Sequence, residues 1–170
     1  MVANKIHIIG SVASGKTTLA KNLSSRYNVP YYELDNVVWK RNKTGDIRRT
    51  EKERETILRT IINSDTWIIE GVHNGDWVKS SFEHAQMIIF LDTRYTIRIY
   101  RIIKRFVLQI LRLERSNYRP TFRIFIKMFK WNNYFEIVSK PAVIKQMNLH
   151  NDKFVVIRNE GELRRLLDKR

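Results

Sequence analysis

Residues Gly10-Ser11-Val12-Ala13-Ser14-Gly15-Lys16-Thr17 read G-x-x-x-x-G-K-T, a spacing whose chemistry is phosphate binding. The glycines let the backbone bend until successive N–H groups converge on one anion. Gly10, Ser11, Ala13, Ser14, Gly15 and Thr18 would supply that cradle. Lys16 has the reach and charge to meet β- and γ-phosphates, and the Thr17 hydroxyl is a hard oxygen suited to Mg²⁺. A glycine-rich turn that binds nothing would show the same letters, so the flanks decide. Lys5-Ile6-His7-Ile8-Ile9 is an apolar run that reads as a buried strand, and Thr18 to Leu23 opens an amphipathic helix. Strand, glycine loop, helix is the context in which the pattern works, with the helix N-terminus adding partial positive charge.

Phosphoryl transfer asks mainly for positioning and charge neutralisation. A carboxylate is needed near the metal, and Glu70 closes the apolar run Thr66-Trp67-Ile68-Ile69. It could hold Mg²⁺ or orient an acceptor, or simply cap a loop. Asp35 follows Pro30-Tyr31-Tyr32-Glu33-Leu34 and could act as a base, bind an acceptor hydroxyl or assist the metal; a turn aspartate is the plain alternative. Asp92 follows Met87 to Leu91 and suits the cap of the next helix. Arg101 and Arg105 are four apart and share a helical face, with Arg98 one turn earlier. Arg115 and Arg119 fall in a break between helices, where a cover would carry arginines to a transferred phosphate. Lys16, Asp35, Glu70, Arg115 and Arg119 are therefore the candidate catalytic set, and Thr17 with Glu70 the candidate metal pair.

Composition bounds the rest. The chain has 170 residues, 32 Lys and Arg against 17 Asp and Glu, a net charge of +15 and no cysteine. Disulfides and thiolate metal sites are excluded. The histidines, at 7, 73, 84 and 150, are nowhere four apart. No apolar run approaches the ~20 residues that span a bilayer. The sequence enters its first strand at once, leaving no room for a leader, so a cytoplasmic protein is expected. From Thr93 to Trp131 eleven basic residues face one acid, Glu114, a local charge of +10. That field attracts polyanions: nucleotide, nucleic acid or an anionic membrane. The aromatics Phe122, Phe125, Phe129, Trp131, Tyr134 and Phe135 recur at helical spacing. They read as packing, with a stacking platform for single-stranded nucleic acid as the alternative.

The elements alternate. Helices are expected over 16–26, 50–63 (capped by Thr50 with Glu53), 77–83, 96–112, 121–147 with a break at Pro141, and 160–168. Strands are expected over 5–9, 30–34, 66–70, 87–91 and 153–157. Five apolar strands separated by helices predict a parallel sheet covered on both faces, with the ligand at the carboxyl ends of the strands. One α/β domain over 1–170 follows, with 50–63 on the acceptor side and a helical lid near 106–123.

Five segments carry a resemblance: GSVASGKTTLAKNL (10–23), YYELDNVVW (31–39), WIIEGVHNGDW (67–77), MIIFLDT (87–93) and YRIIKRF (100–106). Together they resemble the adenylate-kinase-related branch of small P-loop proteins, and more closely the family of DNA topology modulation proteins. The resemblance implies the P-loop NTPase three-layer fold, a bound ATP or GTP with Mg²⁺, and Glu70 beside the metal. It implies Arg101 and Arg105 at base and phosphates, and Arg158 and Asn159 near the base. Nucleoside monophosphate kinases carry an arginine shortly after the third strand. Here Glu70-Gly71-Val72-His73-Asn74 has none, and His73 and Asn74 suit a hydroxyl or neutral acceptor. Three functions stay open: a kinase of a small acceptor, including a nucleoside or nucleotide; a nucleotide-regulated nucleic-acid binder using helices 94–130; and a nucleotide binder without turnover, or a membrane-surface protein using Phe106-Val107-Leu108.

Overall fold

The computed structural model describes residues 3–42, 45–73, 75–114, 121–149, 152–159, 161–163 and 165. In chain order the elements are β1 (Lys5–Gly10), α1 (Lys16–Tyr27), β2 (Tyr31–Glu33), α2 (Leu34–Val38), β3 (Trp39–Lys40), β4 (Ile47–Arg48), α3 (Glu51–Ile62), β5 (Trp67–Glu70), α4 (Lys79–His84), β6 (Met87–Leu91), α5 (Tyr95–Ile110), α6 (Phe122–Tyr134), α7 (Lys140–Leu149) and β7 (Phe154–Ile157). A 3₁₀ turn, Asp76–Val78, leads into α4.

β2, β5, β1, β6 and β7 form one sheet in that spatial order, and every neighbouring pair is parallel. The expected five-stranded parallel sheet is therefore present. Its three central strands, β5, β1 and β6, read as apolar runs because both of their faces are covered. Ile6, Ile8, Ile68, Met87, Ile89 and Leu91 join Leu19, Ala20 and Leu23 of α1 in one cluster. The alternate residues Ile9, Trp67, Ile69, Ile88 and Phe90 join Leu58, Ile61 and Ile62 of α3 and Phe135 on the other side. The period-two alternation of each strand thus builds two cores and three layers.

Local signals behave as their chemistry requires. Thr50 accepts from the Glu53 N–H while the Glu53 carboxylate accepts from the Thr50 N–H, the expected capping box. α1 ends at Asn28, whose φ of 53° closes the helix in the left-handed region.

Three segments depart from expectation. Asp35 does not end a strand: the chain turns at Leu34 into α2, because Leu34, Val37 and Val38 are all buried. A two-stranded antiparallel hairpin, β3 with β4, stands apart from the main sheet. The long helix after Thr121 is not simply broken at Pro141. It passes through a π-helical stretch, Phe135–Ser139, directly before α7. Proline has no N–H for the carbonyl four residues back, and the helix widens in the turn just before it, where the Lys140 N–H reaches the Phe135 carbonyl. Of the expected closing helix, residues 161–163 and 165 are helical.

One core residue makes stability depend on pH. His7 is fully buried, stacked on Phe82 with ring centroids 4.3 Å apart. Its Nδ1 lies 3.1 Å from Ser81 Oγ, which itself donates to the Val78 carbonyl. Burial pushes the imidazole pKa down from 6.5 to about 3. Between those values the unfolded chain binds a proton that the native chain does not, so stability falls as pH falls through that window. The slope from this group is about 1.4 kcal/mol per pH unit. Urea melts of wild type and His7→Gln at neutral and mildly acidic pH should differ in this slope; equal slopes would show that His7 titrates normally.

Candidate functional site

The site begins where β1 gives way to the glycine loop. A Cβ on Gly10 would lie 2.6 Å from Ser14 Oγ and 3.0 Å from the Leu91 carbonyl, so only glycine fits against the strand beside it. Ala13 (φ 59°) and Gly15 (φ 101°) are both left-handed, turning the loop back on itself ahead of α1. For alanine that conformation carries strain of about 1–2 kcal/mol. The loop is held from outside. Thr93 Oγ1 donates to the Ser14 carbonyl at 3.0 Å, and Arg101 Nη1 donates to the same carbonyl at 3.0 Å. Ser11 Oγ donates to Asn132 Oδ1 of α6 at 3.1 Å, with both side chains buried.

Inside the loop, Lys16 Nζ donates to the Ser11 carbonyl at 2.9 Å. Burial lowers the Lys16 pKa, and the Glu70 and Asp35 carboxylates work against that shift. Thr17 Oγ1 donates to Glu70 Oε1 at 2.5 Å, which brings together the two residues expected at the metal. These are hard oxygens of the kind Mg²⁺ takes. Among the described residues no cluster of three or more His, Asp or Glu could hold an ion, so phosphate oxygens and water would have to complete the shell. Ser14 Oγ is buried without a hydrogen-bond partner, and with the strained loop and the half-buried Lys16 ammonium it makes the cradle fit an anionic phosphate.

One continuous cleft of about 1950 Å³ runs over the carboxyl ends of the strands. It gathers Gly10, Ser11, Ala13, Ser14, Gly15, Lys16, Thr17, Thr18, Asp35, Glu70, Arg101, Arg105, Arg158 and Asn159, every described member of the candidate set. Arg115, Arg119 and Asn74 lie outside the described residues. Arg105 Nε is 3.4 Å from Glu114. The Arg158 N–H and Asn159 Nδ2 both donate to the Glu162 carboxylate, tying that wall to the start of the closing helix.

On the opposite flank, His73 Nε2 lies 3.3 Å from Asp35 Oδ1. That hydrogen bond is the main reason the Asp35 pKa is lowered, with Lys16 and Arg41 adding to it. Glu33, Trp39 and Arg41 also line this end; none of the three was expected. Glu33 pairs with Glu70 across parallel strands, and burial together with the Glu70 charge raises its pKa. The alternation Glu33-x-Asp35 at a strand end was the one available signal for it.

Two expectations change. Asp92 does not cap α5, whose N-terminus has no side-chain cap. It pairs with Lys140 Nζ at 2.7 Å instead. Arg98 is turned inward, fully buried over the Tyr95 and Phe135 rings and paired with Glu136, so it does not reach the cleft.

No family model matches the chain. Over 60 residues it is 37% identical to an adenylate kinase of Wigglesworthia glossinidia brevipalpis, a stretch covering 35% of this chain and 29% of that protein's length. Among solved structures it resembles shikimate kinase from Acinetobacter baumannii in complex with shikimate (TM-score 0.61, 16% identity, 99% of this chain and 90% of that one). Shikimate kinase from Bacteroides thetaiotaomicron gives a TM-score of 0.52 at 15% identity, covering 96% of both chains. A sugar kinase from Janibacter sp. gives 0.51 at 16% identity, covering 96% of this chain and 91% of that one. Sheet order, glycine loop and these likenesses agree: the chain has the P-loop NTPase α/β fold.

Proposed function

We propose that the protein transfers the γ-phosphoryl group of ATP to a hydroxyl of a small acceptor, with the whole chain acting as one kinase-like domain. The observation that carries this reading is the placement of Asp35, held by His73, in the same cleft as Lys16 and the Thr17–Glu70 pair. A carboxylate facing a phosphate cradle across an open gap is the arrangement that phosphoryl transfer requires. The cradle would contact phosphate oxygens only, so GTP would satisfy it equally; Arg101, Arg105, Arg158 and Asn159 are the residues that would meet base and phosphates.

In this reading Lys16 and the loop N–H groups bind and orient the phosphates. Bound Mg²⁺ would neutralise phosphate charge and fix the γ-group in line, held by Thr17 and Glu70. Asp35 accepts the proton of the acceptor hydroxyl at Oδ1 or Oδ2, and His73 keeps the carboxylate ionised and aimed. Trp39 and Arg41 wall the acceptor, with helix 50–63 behind them. The stretch 106–123, with Arg115 and Arg119, would close over the site as a lid and exclude water. A kinase of this kind would draw on the cytoplasmic ATP pool. No arginine stands at 70–74 to grip an acceptor phosphate, which favours a nucleoside or another neutral hydroxyl compound over a monophosphate.

The test is ADP release from Mg·ATP in the presence of a panel of nucleosides, monophosphates, sugars and hydroxy acids. Acceptor-dependent ADP release supports the kinase. ATP binding with no acceptor response, together with salt-sensitive retention of DNA, would instead favour the nucleotide-regulated nucleic-acid binder that the resemblance to DNA topology modulation proteins suggests.

A further inference from the structure

α5 carries three faces. Arg98, Ile102 and Gln109 are buried toward the protein. Arg101 and Arg105 turn to the cleft. The third face is apolar and uncovered: Tyr100 (63% exposed), Ile103, Val107 (47%) and Ile110 (55%) follow at steps of three, four and three residues, a single stripe about 15 Å long. α6 lies alongside, joined through Phe106, which stacks on Phe125 at 4.2 Å and leans on Phe122. It adds exposed Phe122 (66%) and Ile126, four residues apart. The exposed basic residues of α5, α6 and the turn after α5 are Lys104, Arg112, Arg123, Lys127 and Lys130. The nearby acids are already engaged: Glu114 pairs with Arg105, and Glu136 with Arg98 and Lys140.

Exposed apolar surface of this kind marks a docking site, and its charge selects the occupant. A second copy of the chain would bring its own +10 segment against this one. A nucleic acid would satisfy the basic rim and could stack a base on Phe122, but it offers nothing in which to bury the aliphatic Ile103, Val107 and Ile110. An anionic bilayer surface takes both, burying the apolar stripe below the headgroups while the lysines and arginines stay among them. We propose that the outer face of α5 and α6 docks the protein on an anionic phospholipid surface, leaving the cleft free on the neighbouring side.

Flotation of the full chain with phosphatidylcholine vesicles, with and without phosphatidylserine, tests this. Uptake is expected only where phosphatidylserine is present, falling about tenfold in high salt as the charges are screened. Ile103→Glu and Ile126→Glu should each cut uptake about tenfold or more while leaving ATP binding and the melting temperature unchanged, since both side chains already face solvent and neither lines the cleft. The double variant Arg123→Gln/Lys130→Gln keeps the apolar stripe and should lose the preference for phosphatidylserine. The proposal is overturned if wild type floats with neither vesicle, or if Ile103→Glu and Ile126→Glu float as wild type does. It is equally overturned if Ile103→Glu abolishes a dimer seen in sedimentation while vesicles take up nothing.

Discussion

Lys16→Ala is expected to weaken Mg·ATP binding by about two orders of magnitude, which is the loss of one or two charge-assisted hydrogen bonds. Lys16 reaches back over the glycine loop, and its ammonium bonds the Ser11 carbonyl at 2.9 Å. A phosphate in the cradle would exchange that neutral acceptor for charged oxygens. The fold should survive, because the deleted bond is a single one to backbone and burial of the ammonium already disfavours its charge. Calorimetric titration measures the affinity, and a melting curve checks the fold. Unchanged affinity in a folded variant would remove the glycine loop from the nucleotide site.

Glu70→Gln should separate binding from turnover. The carboxylate is buried and accepts from Thr17 at 2.5 Å. Glutamine has nearly the same shape and keeps an oxygen for Thr17, so the substitution removes charge and little else. ATP affinity is expected within a fewfold of wild type. Acceptor-dependent ADP release should fall by about 10²–10³, the scale seen when one preorganised electrostatic contact is lost. Full activity would make Glu70 a cap for the Thr17 hydroxyl and nothing more. Removing its charge should also let the neighbouring Glu33 pKa drop, since that pKa is raised partly by Glu70.

The parts of this molecule that were readable from sequence are those whose causes are local. The glycine loop, its strand and its helix are contiguous, and the Thr50–Glu53 box closes over three residues. The three central strands, β1, β5 and β6, announce themselves as apolar runs because each is buried on both sides. What stayed hidden depends on contacts between distant segments. Leu34 turns into α2 because the core behind β5 has room for it: a Cβ on Gly71 (φ 152°) would come within 2.7 Å of Leu34 Cβ. His73 meets Asp35 across 38 residues and Asn132 meets Ser11 across 121; no periodicity encodes either. Asp92 looked like a helix cap because capping is a neighbour's role, but Lys140 arrives from α7 to claim it. Arg98 shares its helix with Arg101, yet its extra turn places it against Tyr95 and Phe135 rather than over the loop.

The β3–β4 hairpin has a consequence for how such a protein can diversify. Trp39 and Lys40 pair only with Arg48 and Ile47, and the far side is fastened by Arg49, whose N–H reaches the Val38 carbonyl and whose guanidinium reaches the Asn36 carbonyl. None of these bonds belongs to the five-stranded sheet. The segment that walls one end of the cleft is thus an appendage on the core, while the glycine loop at the other end is braced by β6, α5 and α6 together. Insertions or exchanges between residues 39 and 48 would leave both hydrophobic clusters intact. Substitutions in the loop would not be so isolated. Selection for a new acceptor can therefore act on one short, replaceable stretch without retuning the machinery that holds the phosphates.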